Sequence, residues 1–204
     1  EKKGAALKRG GDEILSSSIS AADLYRSIAL RVERYRTVIS QTVRDSLTGL
    51  LNHTTTRKKL ETEVQRCQKQ SEIMGFAMID IDKFKHVNDT YGHAAGDRVI
   101  QNLARLLKQR VRRYDVVGRY GGEEFAVIIS GLNKESIGAM METIREDFSN
   151  VVHSYQNYQF QCSFSCGLTF FPDLPDAQQL NDAADEAMYK AKSRGGNQIQ
   201  IRLP

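Results

Sequence analysis

The sequence of 204 residues has no tryptophan and only three cysteines, Cys67, Cys162 and Cys166. The last two lie four residues apart in a stretch that predicts a strand. At about 3.3 Å per residue they stand roughly 13 Å apart, too far for a disulfide. We therefore expect reduced thiols and a cytoplasmic location. No apolar run approaches the roughly 18–20 residues of a membrane span, and no signal peptide is evident. Because the chain begins with Glu1 rather than Met, we expect a fragment, which leaves membrane attachment through an upstream part open.

The sequence also has little net charge outside its N-terminal segment. Residues 1–44 carry nine Lys and Arg against five Asp and Glu, whereas residues 45–204 carry twenty of each. A body without a basic stripe is a poor electrostatic partner for DNA or RNA, so we expect no nucleic acid polymer as a ligand. A small polyanion held through a metal ion is compatible with this charge.

The N-terminal segment divides into two parts. Residues 1–19 are rich in Lys, Gly and Ser and predict a tail or a weak helix. Ser20-Ala-Ala-Asp23 is typical of a capping box, and residues 20–44 predict a helical stalk that dimerises like a coiled coil. Its apolar seam has spacings of three and four and consists of Tyr25, Ile28, Val32, Tyr35 and Ile39. The seam is shorter than three to four heptads, so a helix packed on its own domain is the alternative.

The body mixes strands and helices without a strict alternation, which predicts an α+β fold with a mostly antiparallel sheet flanked by helices. The predicted helices cover 54–70, 82–90, 97 onward, 133–150 and 176–193. The predicted strands cover 75–81, 114–120, 123–129, 159–171 and 198–202. Gly121 and Gly122 predict a two-residue hairpin turn, and the absence of Cβ atoms there would also let a phosphate approach the backbone.

An acidic cluster stands out around this hairpin. Alternation in strand 75–81 places Asp80 at the strand's C-terminal end. If the hairpin pairs beside that strand, Glu123 or Glu124 lies about 4.8 Å away. Two close carboxylates repel each other unless a cation lies between them, and hard oxygen ligands suit Mg²⁺ or Mn²⁺, which also bridge substrate phosphates. The alternative is that Asp80 caps the following helix and the glutamates are solvated.

The segment Arg119-Tyr-Gly-Gly-Glu-Glu-Phe125 resembles the signature of the GGDEF family of diguanylate cyclases, in the variant with Glu at the third position. Three more segments resemble family motifs in the same order, namely Asp45–Asn52, Asp80–Asp97 and Ala187–Lys192. The resemblance covers about residues 45–202, which predicts a domain over 45–204, and it implies a palm-like fold in a bacterial signalling enzyme. It also implies that two domains face each other, each holding one GTP, and release cyclic di-GMP and two pyrophosphates.

The resemblance further implies roles for single residues. Two Mg²⁺ or Mn²⁺ ions per half-site would be held by Asp80, the backbone carbonyl of Ile81, Glu123 and Glu124, and Glu123 would also help activate the 3′-hydroxyl. The implied GTP positions are Lys85, Asn88, His93, Asp97, Gly121, Gly122 and Lys192. An ionised Asp accepts from guanine N1–H and the N2 amino group, which adenine does not offer. The alternative for His93 is a loop histidine at the start of a helix, and each of the two lysines, taken alone, is more often a solvated surface residue.

One departure from the family concerns Gly196, because an Arg that contacts the triphosphate is usual at that position. This departure puts triphosphate affinity in question, and Arg194 is the nearest substitute. Leu51 and His53 are smaller departures, where Pro and Arg are common.

Arg112-Arg-Tyr-Asp115 resembles the family's product-inhibition site in sequence and in its distance from Gly121. A strand of about six residues would separate it from the catalytic turn by roughly 20 Å, so inhibition would cross-link domains rather than compete with GTP. An upstream sensor or a regulatory partner would then act through the stalk.

Two alternatives to a diguanylate cyclase are a catalytically silent receptor for cyclic di-GMP and an enzyme for another nucleotide. Asn88 and Asp97 disfavour the second.

Overall fold

The computed structural model describes residues 20–202, and the side chains of residues 33–42 lie outside that description. Helix α1 spans Ala21–Val43. Its capping box is formed, because Ser20 Oγ accepts from the Asp23 backbone N–H at 3.1 Å and donates to the Asp23 carboxylate at 2.6 Å. Tyr25, Ile28 and Val32 of the predicted seam are exposed. The seam side chains Tyr35 and Ile39 and the predicted tail 1–19 lie outside the described residues.

The body follows from Val43 onward and is considered by itself. Its elements, in chain order, are α2 (His53–Gln70), β1 (Met74–Ile81), α3 (Phe84–Tyr91), α4 (His93–Arg110), β2 (Val116–Arg119), β3 (Glu124–Ser130), α5 (Lys134–Ser149), β4 (His153–Tyr155), β5 (Tyr158–Phe160), β6 (Phe164–Phe171), α6 (Ala177–Ser193) and β7 (Ile199–Ile201). Among the described helices, none is both long and apolar enough to cross a bilayer. All three cysteines are free thiols.

The main sheet has the strand order β2-β3-β1-β6-β7. Its pairs are antiparallel except for β6 with β7, which confirms the predicted α+β class. At the β2 edge, Leu51 makes an isolated bridge to Gly118, and β7 at the opposite edge is three residues long. The separate hairpin of β4 and β5 pairs within itself.

Strand β1 lies at the centre of the sheet, and every one of its residues is buried. Its alternation supplies two cores: Phe76 and Met78 pack with apolar residues of α2 and α6, whereas Ile79 and Ile81 pack with those of α4 and α5. A strand covered on both faces is expected to be continuously apolar, and β1 departs from this only at Asp80. The charged residue is therefore an exception that burial alone does not explain.

Helix α6 approaches strand β6 backbone to backbone. A Cβ atom added to Gly167 would lie 1.9 Å from the carbonyl oxygen of Ala184 and 2.5 Å from the backbone nitrogen of Met188. Glycine is the residue that permits this distance, because it has no Cβ. The contact sets the position of α6 over the sheet, and α6 carries Lys192.

Two local predictions are wrong. The single strand predicted for 159–171 is broken at 161–163, because β5 pairs with β4 while β6 pairs with β1. The predicted two-residue turn at Gly121 and Gly122 is a four-residue loop, 120–123, because the N–H groups of Tyr120 and Gly121 both donate to the Glu124 carbonyl, at 2.7 and 3.3 Å.

Candidate active site

Asp80 lies at the C-terminal end of β1, opposite Glu124 of β3 and Ser165 of β6. Its side chain is only 9% exposed, and its Oδ1 atom lies 2.6 Å from Nζ of Lys192. Burial raises the pKa of Asp80 to about 6; Lys192 opposes this rise, and the negative charges of Glu123 and Glu124 add to it. The cluster therefore favours a cation beside Asp80, and the Lys192 ammonium fills that role here.

The loop 120–123 brings the glutamates beside Asp80. The N–H of Ile81 donates to the Glu123 carbonyl with an N···O distance of 3.4 Å. The Glu124 carboxylate lies against Gly121, where an added Cβ would stand 2.2 Å from Glu124 Oε2. The absence of a Cβ at Gly121 thus leaves room for the Glu124 carboxylate. Gly122 has open space instead, because a Cβ there would meet no atom within 4 Å.

Asp80, Glu123 and Glu124 are ligand types that a divalent cation prefers, although they do not form a preorganised metal site. Within residues 20–202, no three His, Cys, Asp or Glu side chains converge closely enough to hold a metal ion. Carboxylate oxygens are nevertheless the ligands that Mg²⁺ and Mn²⁺ prefer. Burial raises the pKa of Asp80, and the charges of Glu123 and Glu124 add to that rise, so a positive charge nearby stabilises the ionised carboxylate. The donor set therefore fits a hard cation that would replace the lysine.

Arg119 holds the loop 120–123 in place, a role that the sequence did not reveal. Its Nε donates to the Gly121 and Gly122 carbonyls at 3.1 and 3.0 Å, and its Nη2 donates to the Gly122 carbonyl at 2.7 Å. Its Nη1 donates to both carboxylate oxygens of Asp45, at 3.2 and 3.0 Å. Burial works against ionisation of Asp45, but hydrogen bonds from Thr48 and the charge of Arg119 lower its pKa. Arg119 thus ties the loop to the turn that follows α1.

Asn88 lies on α3 and Asp97 on α4, on either side of the point where the two helices are joined. The helices are joined by Gly92 alone, which has a φ of +85°. Gly96 lies directly against the Asn88 carboxamide, because a Cβ added to Gly96 would stand 2.0 Å from Asn88 Oδ1. Asp97 follows in the chain and is exposed. Asp97 is thus the chain neighbour of the residue that lies against the Asn88 carboxamide.

The remaining candidates on these two helices are open to solvent. Lys85 on α3 and His93 at the start of α4 are both exposed. Helix α4 begins at His93, four residues earlier than the predicted start at Asp97. The earlier start places His93 in the first turn of the helix that carries Asp97.

Asp82 is a second residue whose role the sequence did not reveal. Its carboxylate accepts hydrogen bonds from the hydroxyls of Ser163 and Ser165, both at 2.6 Å, and from the backbone N–H of Asn197 at 2.8 Å. It therefore ties the end of β1 to β6 and to the turn after α6. Gly196 sits in that turn with a φ of +76°, and an added Cβ would lie 2.8 Å from Asp82 Oδ1.

Arg194, the predicted substitute for the arginine missing at Gly196, makes an exposed hydrogen bond. Its Nη1 donates to Oε1 of Gln200 at 2.9 Å, which holds the guanidinium against β7. Contact of Arg194 with a triphosphate stays a prediction.

Arg112 and Asp115 bind each other. The guanidinium donates from Nε and Nη2 to the two Asp115 oxygens, both at 3.1 Å, and Nη2 also donates to the Ser130 carbonyl at 2.8 Å. The Asp115 side chain is 1% exposed, whereas that of Arg112 is 28% exposed. The guanidinium lies 4.7 Å from the ring centroid of Tyr114, which is exposed. Arg112 and Tyr114 are therefore accessible to a ligand here, whereas the Asp115 side chain is buried.

Residues 42–198 match the family described as "Diguanylate cyclase, GGDEF domain". The chain is 36% identical to diguanylate cyclase A of Treponema denticola, over 65% of this chain and 36% of the relative. It is 34% identical to the probable diguanylate cyclase DgcC of Escherichia coli, over 87% of this chain and 48% of the relative. The chain thus spans less than half the length of these curated relatives.

Its structure is similar to that of the coiled coil and GGDEF domain of DgcB from Caulobacter crescentus in complex with c-di-GMP. The TM-score is 0.83 at 25% identity, covering 89% of this chain and 96% of that one.

Proposed function

This chain belongs to the GGDEF family of diguanylate cyclase domains, and we propose that it condenses two molecules of GTP into cyclic di-GMP and two pyrophosphates. The observation that carries the proposal is the facing pair of Asp80 and Glu124 on β1 and β3. Burial raises the pKa of Asp80 to about 6, and buried carboxyl groups with a perturbed pKa are typical of functional sites. Such a site suits chemistry on a phosphate.

We assign the metal-holding roles to Asp80, the Ile81 carbonyl, Glu123 and Glu124. Bound Mg²⁺ or Mn²⁺, two per half-site, would supply positive charge that neutralises the phosphates and lowers the pKa of the 3′-hydroxyl. Glu123 accepts the proton of that hydroxyl. Lys192, once released from Asp80, reaches the phosphates together with Lys85, and the backbone of Gly121 and Gly122 lies close to them.

The guanine base is bound between α3 and α4. The Asn88 carboxamide and the Asp97 carboxylate hydrogen-bond its edge, and His93 lines the same pocket. An ATP molecule would leave Asp97 without its donors, and an unpaired polar group of this kind discriminates strongly between substrates.

The reaction needs two copies of the domain, each contributing one GTP. We propose that residues 20–44 form the stalk that pairs them, supported by the exposure of Tyr25, Ile28 and Val32 on α1. An upstream sensor or a regulatory protein would act on this stalk.

Product would bind at Arg112 and Asp115 and slow the enzyme by holding two domains in an unproductive arrangement. Because the two residues already form an ion pair, the exposed faces of Arg112 and Tyr114 would meet the ligand first.

The direct test is to strip the purified chain of bound nucleotide and incubate it with GTP and Mg²⁺, following the products by chromatography. We expect cyclic di-GMP and pyrophosphate, at a rate that rises faster than linearly with protein and slows as product accumulates. Binding of cyclic di-GMP without turnover, with either Mg²⁺ or Mn²⁺, would favour a receptor instead. A rate strictly proportional to protein from a monomer would contradict the paired mechanism.

Gly96→Ala tests the base-binding role of Asn88. The new methyl group would stand 2.0 Å from Asn88 Oδ1, so the carboxamide must move. We expect the KM for GTP to rise about 10- to 100-fold with a smaller change in kcat, because ångström-scale misplacement of a binding group has effects of this size. Steady-state kinetics on a variant with an unchanged circular dichroism spectrum measures this. An unaltered KM would contradict the assignment.

Gly196→Arg tests whether the missing arginine limits affinity for the triphosphate. We expect the KM for GTP to fall several-fold, while stability drops by about 1–2 kcal/mol because a non-glycine residue must adopt positive φ. Gly196→Ala is the matched control, since its Cβ meets Asp82 in the same way without adding charge. An equal KM in the two variants would show that position 196 does not reach the phosphates.

A further inference from the structure

The β4–β5 hairpin takes no part in the chemistry proposed above, yet it is held by specific contacts. It pairs only within itself among the described residues, with His153 opposite Phe160 and Tyr155 opposite Tyr158. An isolated two-stranded hairpin is marginally stable at best in water. Its conformation therefore depends on the elements that it packs against.

One set of contacts reaches the end of α3. The ring of Tyr91 stacks on that of Phe160, with centroids 4.1 Å apart and planes inclined by 5°. Tyr158 adds a tilted contact to Tyr91, with centroids 5.5 Å apart. Tyr91 is the last residue of α3, one helical turn beyond Asn88, and the next residue is Gly92. The hairpin thus contacts the last residue of α3.

A second set of contacts reaches α4. The guanidinium of Arg98 lies over the ring of Tyr155, 5.1 Å from its centroid. One turn later, Asn102 Nδ2 lies 3.0 Å from Nδ1 of His153. His153 is buried, and burial lowers its pKa, so the neutral ring accepts this hydrogen bond. Arg98 follows Asp97 directly, so the hairpin contacts the second and third turns of α4, next to Asp97.

We propose that the hairpin is a brace that sets the angle between α3 and α4, with Tyr91 and Phe160 as positioning residues for recognition of guanine. The proposal rests on the proposed function, because Asn88 and Asp97 are the groups that it aligns. The single residue Gly92 between the helices, with its positive φ, leaves the angle to non-covalent contacts. Tyr91, which stacks on Phe160, is the chain neighbour of Gly92 at that joint.

The test compares Phe160→Leu and Tyr91→Leu with the conservative Tyr91→Phe. The leucine variants keep an apolar side chain but remove the ring stacking, whereas Tyr91→Phe keeps the stacking. Gln159→Ala, at an exposed position of the same hairpin, controls for a substitution there. Ile137→Ala controls for lost stability, because Ile137 packs on Gly75 at the opposite end of β1 from Asp80.

In the leucine variants we expect the KM for GTP to rise about 5- to 20-fold with kcat within about threefold of wild type, as for a misplaced binding group. Preference for GTP over inosine triphosphate, which lacks the N2 amino group, should fall by a similar factor. Tyr91→Phe and Gln159→Ala should behave like wild type. Unchanged kinetics in both leucine variants, or an equal rise in KM in Ile137→Ala, would overturn the proposal.

Hydrogen exchange separates this proposal from the proposed function, because it needs no turnover. In wild type and in Phe160→Leu without nucleotide, we expect amide exchange across residues 89–98 to be at least tenfold faster in the variant, with β1 unchanged. Equal exchange in that segment would overturn the brace even if the wild type makes cyclic di-GMP. Faster exchange together with an inactive wild type would leave the brace standing and remove the proposed function.

Discussion

Replacement of Asp80 by Asn is expected to lower cyclic di-GMP synthesis by about 10²- to 10³-fold, the range typical for loss of one group that stabilises charge in a transition state. Asn keeps the shape of the side chain but removes the negative charge that the facing strands present to a cation. Glu123→Gln is expected to have a similar effect, because it removes both a metal-holding charge and the acceptor for the hydroxyl proton. Initial rates of product formation at saturating GTP and Mg²⁺ measure both losses.

The same Asp80→Asn substitution should not destabilise the metal-free protein at neutral pH. The pKa of Asp80 is raised to about 6 in the fold, above its ordinary value of 3.8. A carboxyl group with a raised pKa contributes stability that is fully present below its unfolded pKa and is lost as the pH rises through the folded pKa. The wild type should therefore lose stability relative to the variant between about pH 4 and pH 7. Denaturant unfolding in the presence of a chelator, at several pH values, measures this difference.

These two variants also distinguish an enzyme from a receptor. Arg112 and Asp115 lie outside the acidic cluster, so binding of cyclic di-GMP should be retained in Asp80→Asn and Glu123→Gln, as measured by calorimetry. Loss of product binding in a folded variant would mean that the two sites are not separate. Full activity in either variant would remove the proposed metal site.

Gly167→Ala is expected to destabilise the protein by about 3 kcal/mol or more, or to prevent folding. Overpacking of a core usually has an effect of about 1–3 kcal/mol, and more when the neighbours cannot move. Here the added methyl group would meet the Ala184 carbonyl oxygen at 1.9 Å and the Met188 nitrogen at 2.5 Å, both backbone atoms of α6. The helix would have to lift from the sheet. The free energy of unfolding in urea measures the loss.

Gly138→Ala is the matched control for this substitution. Gly138 lies within α5, and the nearest atom to an added Cβ is 3.9 Å away. Because alanine favours a helix interior over glycine by about 0.5–1 kcal/mol, the control should be neutral or more stable. Equal stability of the two variants would show that α6 can shift over β6 without lowering the free energy of unfolding.

Much of the fold around the site follows from simple patterns in the sequence. Alternation in β1 correctly places Asp80 at the strand end, and its pairing with Glu124 confirms the prediction that a hairpin carboxylate lies on the neighbouring strand. These features depend on local periodicity and on adjacent strands. The mostly antiparallel sheet follows in the same way from the order of strands and helices.

Other features depend on contacts between distant segments, which local patterns do not contain. The alternation from Phe160 to Phe170 is real, since these residues share one core, but the pairing of β5 with β4 breaks the strand. The sequence shows an Arg before two glycines, yet its bond to Asp45, 74 residues away, appears only in the fold. Asp82 likewise acquires its partners from β6 and from the turn after α6.

The edges of the main sheet affect how copies of this domain can meet. Exposed strand edges invite other chains to add strands, and proteins limit this with short or covered edges. In the part of the chain that the structure describes, β7 offers three residues at one edge, and Leu51 bonds to Val117 and Arg119 at the other. Strand addition between copies is therefore disfavoured. Copies that meet through side-chain surfaces instead can associate and dissociate repeatedly. At high protein concentration the domain should therefore associate reversibly rather than aggregate.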